Sequence, residues 1–323
     1  MSTTASAQET SLRIATFNAE MYRKGPGLLL RDIRRGDDPQ IAAIRQMLLT
    51  VQPDIIALQG IDFDLGQTAL SAFADDLAQA GISYPHQFTL APNAGRSTGL
   101  DLNGNGRLGD ADDAHGYGRF FGMGGMAVLS RYPIVKTAVE DFTDLLWRNL
   151  DGHIYPMTDG APFGGQAVFN THRLSTRGHW VVPIKTPDFG TLRLMTFHAT
   201  PPIYDGDEDR NGRRNHDEVA FWLDYLARDQ STVPFAILGT ANTDPARGDG
   251  RPDAINALLA HEHLQNPFND TPTADFRDPV PGDLRVDYLL PSADWTILNH
   301  GMETAPDASR HSLLWVDIAP RNP

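Results

Sequence analysis

Five polar residues stand beside short apolar runs in this chain, and their types suit acid–base and anion-positioning chemistry. Asn18 ends LRIATFN, His198 stands in LMTFHATPP, Asn242 follows FAILG in GTANTDP, Asp287 lies in RVDYLLP, and His311 precedes SLLWVDI. An imidazole paired with a carboxylate supplies a donor or a base close to neutral pH. Taken singly, each has an ordinary explanation, because a polar group at a strand end commonly caps a turn or satisfies backbone groups. Their joint order along the chain is what carries weight.

Two further stretches have the spacing of a hard-cation loop. Asp101, Asn103 and Asn105, then Gly106, the Arg107 carbonyl and Asp112 at the twelfth position follow an EF-hand-like pattern. No clear helices flank it, so the expectation is an isolated calcium loop ordering a long excursion, with a solvated Asn/Gly turn as the alternative. The second match, Asp207, Asp209, Asn211, Gly212 and Glu218, is interrupted by Arg210, Arg213 and Arg214. It reads better as a segment in which Arg213, Arg214 and Asn215 serve anionic substrate groups, arginine being suited to bidentate phosphate contacts. A salt-bridged helix start and a calcium site are the alternatives there.

The elements that must position these residues alternate between strands and amphipathic helices. Strands are predicted at 12–18, 53–59, 126–131, 192–198, 235–239, 286–290 and 313–318. Ile41, Ile44, Leu48 and Val51 mark one face of a helix after Pro39; Ala69, Leu70, Phe73 and Leu77 mark another. Val219, Trp222, Leu223 and Leu226 repeat at helical spacing, and 254–260 reads as a short helix. Residues 93–122 and 141–190 look like long excursions from this frame, and long loops in a compact domain are usually functional. No repeat or interdomain linker interrupts 12–319, which is read as one layered α/β domain, with 1–11 as a tail.

In this order the motifs resemble the endonuclease/exonuclease/phosphatase superfamily, whose members include DNases, sphingomyelinases and inositol-phosphate phosphatases. The resemblance runs through FN at 17–18, PDIIALQ at 53–59, GGMAVLSRYPI at 124–134, FHATPP at 197–202, LGTAN at 238–242, VDYLL at 286–290 and RHSLLWVDI at 310–318. It implies a four-layer α/β sandwich, two mixed β-sheets packed face to face with helices outside, and a site at one rim. It also implies a Mg²⁺ or Mn²⁺ ion on hard oxygen ligands and a phosphate-ester substrate. His311 would then contact the scissile phosphate, with Asp287 orienting its imidazole. His198 would be a second phosphate or leaving-group contact. Asn242 would place the phosphate or the attacking water, and Asn18 would help to hold the metal.

Three carboxylates of that pattern are missing. Gly60 stands where a metal-binding glutamate follows PDIIALQ, Thr240 where an aspartate precedes the asparagine, and Arg310 where an aspartate precedes the last histidine. Glu20, two residues beyond Asn18 and on the same face of a continuing strand, could replace the lost ligand, together with Asp62; Asp62 and Asp64 could instead cap the next helix.

Bulk properties narrow the field. The net charge of −14 over 323 residues disfavours generic DNA binding, which depends on neutralised phosphates. No run is apolar enough for a membrane span. With no cysteine, disulfides, thiolate metal sites and cysteine nucleophiles are excluded. Ala5-Ser6-Ala7 before Gln8 has the form of a trimmed export signal, implying a periplasmic or extracellular protein, although no apolar stretch precedes it and a cytoplasmic location stays open. Three function classes follow: a divalent-metal phosphoesterase, a catalytically degenerate relative that binds an anionic ligand or partner, and a calcium-stabilised exported binding protein.

Overall fold

The computed structural model describes residues 11–277 and 281–321. Its strands are β1 (Leu12–Asn18), β2 (Ile55–Ile61), β3 (His86–Phe88), β4 (Gly125–Ser130), β5 (Glu140–Asp141), β6 (Met157–Thr158), β7 (Ala161–Pro162) and β8 (His179–Thr186). They continue with β9 (Gly190–His198), β10 (Phe235–Thr240), β11 (Ala274–Phe276), β12 (Gly282–Leu284), β13 (Asp287–Pro291), β14 (Trp295–Glu303) and β15 (Leu313–Pro320). The helices are α1 (Leu28–Arg35), α2 (Pro39–Val51), α3 (Thr68–Gln79), α4 (Gly165–Thr171), α5 (Arg210–Arg228) and α6 (Asp253–Leu259).

Two mixed sheets carry the structure. One runs β14-β15-β1-β2-β4-β3 and the other β13-β10-β9-β8-β5; β6/β7 and β11/β12 are separate two-stranded ribbons. Alternation along each strand sends successive side chains to opposite faces, so each sheet needs cover on both sides. Leu12 and Ile14 from the first sheet meet Val182, Leu194, Ala236 and Leu289 from the second in one apolar layer between them. The outer face of the first sheet, including Ala15, Phe17, Ile56 and Leu58, packs on Ile41, Ile44, Leu48, Phe73 and Leu77 of α2 and α3. On the far side, Met195, Phe197 and Ile237 pack on Val219, Phe221 and Trp222 of α5 and on Ile255 and Leu258 of α6. The result is helix, sheet, sheet, helix, as the motifs implied.

Local signals explain several boundaries. Asp38 caps α2 by accepting from the Ile41 N–H at 3.0 Å, and Pro39 occupies the first turn, where no amide partner is needed. Asp64 does the same for α3, accepting from Thr68 and Ala69 at 2.9 and 2.8 Å.

Two expectations need correction. The 141–190 excursion ends early, because β8 is a fully paired strand inside its sheet. Helix α5 begins at Arg210, nine residues before the apolar repeat at Val219. Helix α1 and edge strand β14 were not foreseen. The tail and its Ala5-Ser6-Ala7 motif lie outside the described residues apart from Ser11.

Candidate active site

Strand register brings the candidate residues to one rim. β1 runs parallel to β2 with Asn18 opposite Gln59, and β9 runs parallel to β10 with His198 opposite Thr240. β13 is antiparallel to β10, so Asp287, its first residue, lies opposite Thr240. His311 arrives from the loop before β15, which pairs antiparallel with β1. Gln59 bridges the two sheets beneath the rim: its Oε1 accepts from Thr16 Oγ1 at 3.1 Å and its Nε2 donates to Thr196 Oγ1 at 3.4 Å.

The imidazole–carboxylate pair is intact. His311 Nδ1 lies 2.7 Å from Asp287 Oδ2, with both side chains buried. Thr240 Oγ1 donates to Asp287 Oδ1 at 2.7 Å, and Thr273 Oγ1 donates to Oδ2 at 3.1 Å. Two hydroxyls and one ring N–H thus fix the carboxylate, which fixes the ring with Nε2 facing Asn18 Nδ2 at 3.4 Å. Burial pushes the His311 imidazole down, but the Asp287 charge and hydrogen bond outweigh it, and the net shift is upward. The His198 ring is half-buried with its Nδ1 enclosed and unpartnered; burial, with Arg177 nearby, drives it well below its usual range, so it is neutral. Asn242 sits in the left-handed region (φ 55°) and donates through Nδ2 to the Ala199 carbonyl at 2.8 Å, which stitches the end of β10 to that of β9. Sequence reasoning missed Thr273 and Ser309. Ser309 Oγ donates to the Asn18 carbonyl at 2.8 Å and accepts from His311 N–H at 3.1 Å.

The proposed metal ligands do not converge. Glu20 turns away with φ 46° and pairs with Arg310, accepting from its backbone N–H and its Nε, both at 3.0 Å. Burial pushes the Glu20 carboxyl up, but Arg310 holds it below its ordinary value overall. Asp62 has both oxygens occupied by backbone N–H groups, from Arg23 at 2.8 Å and Gly124 at 2.9 Å, and burial lifts it to about 6. Gly60 lies at a bulge with φ 72°, where an added Cβ would stand 2.6 Å from Asn18 Oδ1 and 3.0 Å from the Glu20 amide. Among the described residues no group of three or more His, Cys, Asp or Glu could hold a metal ion. One carboxylate neutralised by a guanidinium, a second closed off by amides and a threonine in place of a third do not fit a Mg²⁺ or Mn²⁺ site, which needs several hard oxygens facing one point.

The Asp/Asn loop is satisfied by its own backbone. Asp101 accepts from Gly104, Asn105 and Gly106, and Asn105 Oδ1 accepts from the Arg107 N–H at 2.8 Å. Asn103 Oδ1 accepts from Asn105 at 3.1 Å. The residue that closes the loop is Asp113, binding the Leu102 and Gly109 amides, whereas Asp112 faces a neighbouring cavity. The second cation pattern runs from a turn at Asp207 through Asp209 into helix α5. Glu218 is buried within α5, accepting from the Thr176 and Thr200 amides, and Asp209 pairs with Arg251.

The residues expected at the substrate are largely structural. Asn215 is fully buried and donates to the Thr200 and Ala241 carbonyls at 2.7 and 2.6 Å. Arg213 reaches the Glu208 and Ile154 carbonyls. Arg214 is held by the carbonyls of Leu174, His115 and Arg173, yet also lines a cavity of about 440 Å³.

The Endonuclease/Exonuclease/phosphatase family profile matches residues 15–311. The chain belongs to that family. In solved structures, a Beutenbergia cavernae endonuclease/exonuclease/phosphatase is similar at 19% identity and a TM-score of 0.59, over 97% of this chain and 72% of that one. The human Nocturnin catalytic domain with bound sulfate is similar at 14% identity and a TM-score of 0.55, over 96% and 95%. Sphingomyelinase C from Streptomyces griseocarneus reaches 17% identity and a TM-score of 0.50, over 95% and 99%. No curated protein matches by sequence. At these identities the structural likeness supports the shared fold and carries no substrate.

Proposed function

We propose that this family member binds a small phosphate ester at its rim and does not carry the divalent-metal hydrolysis for which the fold is suited. The pairing of Glu20 with Arg310 carries this reading: a guanidinium engages the carboxylate that would replace the lost ligand. The phosphate-facing half is complete. His311, raised by Asp287, turns its Nε2 to the rim, neutral His198 supplies a dipolar contact, and Arg310 reaches the same rim while paired with Glu20. Thr240 keeps Asp287 oriented but has no proton-accepting power for an attacking water.

The test is hydrolysis of bis-p-nitrophenyl phosphate and p-nitrophenyl phosphate with Mg²⁺, Mn²⁺ or Ca²⁺, beside calorimetric binding of p-nitrophenyl phosphate without metal. Background rates with each ion, together with metal-free binding that weakens at least about tenfold in His311→Ala, are expected. Metal-stimulated turnover abolished by His311→Ala overturns the proposal. That result would support the second reading, a metal-dependent phosphoesterase, which the undisturbed Asp287–His311 pair favours. In that case Arg310→Ser, which releases Glu20, should raise the rate.

A further inference from the structure

The cavity that Arg214 lines is polar and positive, and it opens beside the rim. Thr200, two residues beyond His198, forms part of its wall, and Arg177, Arg210 and Arg214 all face it. Each guanidinium is held by main-chain carbonyls: Arg177 by Gly124 and Tyr117, Arg210 by Leu102, and Arg214 by the three named above. Among the described residues none of the three makes an ion pair, although this chain forms many Arg–Asp bridges elsewhere. An arginine carries five N–H donors, and the carbonyls leave part of each fork unused. Buried charge without a directly paired counter-charge is costly, so three such groups around one cavity, with only two acids near them, leave a positive field suited to an anion.

Nearby acids answer that field only in part: the Glu218 charge acts on Arg177 and Arg214, and Asp112 feels Arg210, but neither forms an ion pair with them. Glu218 lies beneath, its carboxylate capped by Thr176 and Thr200. Asp112 is on the wall near Arg210 but outside ion-pair distance. His172, buried and lining the same cavity, has an Nδ1 with no hydrogen-bond partner among the described residues. At the mouth, Tyr117 and Tyr204 are exposed by 44% and 81%, and Tyr204 is held in the left-handed region with φ 71°. Exposed rings over a cavity of about 440 Å³ suit the flat body of a small ligand.

We infer that this cavity is a second anion subsite, so that the ligand of the rim is a small bisphosphate-like molecule: one phosphoryl group at His311 and His198, a flat body between the tyrosines, and a second anionic group among Arg177, Arg210 and Arg214. The inference rests on phosphate binding at the rim and deepens it by naming the ligand class.

Equilibrium binding of adenosine 3′,5′-bisphosphate, adenosine 5′-monophosphate and ribose 5-phosphate to the full chain, without added metal, tests it independently of turnover. The bisphosphate should bind at least about tenfold more tightly than the monophosphate, and that ratio should fall towards one in Arg177→Gln and in Arg210→Gln. Adenosine 5′-monophosphate should exceed ribose 5-phosphate several-fold, an advantage lost in Tyr204→Ala, whose exposed side chain makes misfolding no excuse. A wild-type ratio near one, or a ratio that survives both arginine changes, overturns the subsite. Arginine-dependent bisphosphate binding alongside Mg²⁺-stimulated hydrolysis would instead keep the subsite and remove the non-catalytic reading.

Discussion

At the scale of single residues, the site is governed by which charges have already found partners. Asp287 has its oxygens filled by His311, Thr240 and Thr273, and Glu20 is matched by Arg310. The first pairing was legible in sequence because both residues lie in motifs with a fixed order. The second was not, since Glu20 and Arg310 lie 290 positions apart and meet only when the last strand docks on the first. Gly60 shows the same limit, because its φ of 72° is a property of the bulge and not of the letter. Gly60→Ala should lower stability by about 1–3 kcal/mol, from the left-handed backbone and the 2.6 Å approach to Asn18 Oδ1. A denaturation midpoint unchanged in that variant would contradict the geometry. Asn18→Ala in the same chain should recover part of the loss.

At the scale of elements, the strand-end motifs predicted most of both sheets, and the misses have physical reasons. β8 reads poorly because Pro183 interrupts it, and proline cannot donate to a ladder. It is tolerated because β5 pairs only with Trp180 and Val181, and at 183 the neighbouring 133–135 segment uses only the proline carbonyl, which accepts from the Val135 N–H at 2.9 Å. Helix α1 is eight residues between Gly27 and Gly36, too short for a period to emerge. The unforeseen role of α5 is to seat the loops around the rim: Glu218 joins Thr176 to Thr200, and Asn215 joins Thr200 to Ala241. Glu218→Ala leaves two buried amides without an acceptor, and about 3 kcal/mol or more should be lost, measured by chemical denaturation. For the 101–113 loop, Asp101→Ala should lower the melting temperature while saturating Ca²⁺ leaves the wild type unmoved. An upward shift with Ca²⁺ that disappears in the variant would restore the calcium reading.

At the scale of the whole molecule, buried histidines set the response to pH. His115 and His179 are each pushed down to about 3, mainly by burial, and His172 and His198 also fall well below the ordinary value. The unfolded chain takes up protons at these sites from about pH 6.5 downward and the folded chain does not. Stability from these groups is therefore complete above about 6.5 and declines as the pH falls towards 3, by up to about 1.4 kcal/mol per unit for each histidine. His311 has the opposite sign: its raised value gives stability that is present below about 6.5 and fades as the pH rises past its folded value. The melting temperature should peak near neutrality, fall steeply below pH 6, and fall gently on the alkaline side. Asp287→Asn should flatten the alkaline arm, and a melting temperature that stays level from pH 7 to 5 would contradict the acid one.

The bulge at Gly60 also bears on the routes by which this site could change. A side chain returning there meets Asn18 and the Glu20 amide before it reaches open space, so a lone glutamate is penalised at the first step. Asn18 and the backbone of Glu20 have to shift first, or the bulge at 60 has to straighten within β2. The order of substitutions matters, and a walk of single changes would find a glutamate at 60 harmful until its neighbours had moved. The bulge thus works as a ratchet, resisting a carboxylate at 60 through the surrounding backbone as well as through the absence of the side chain.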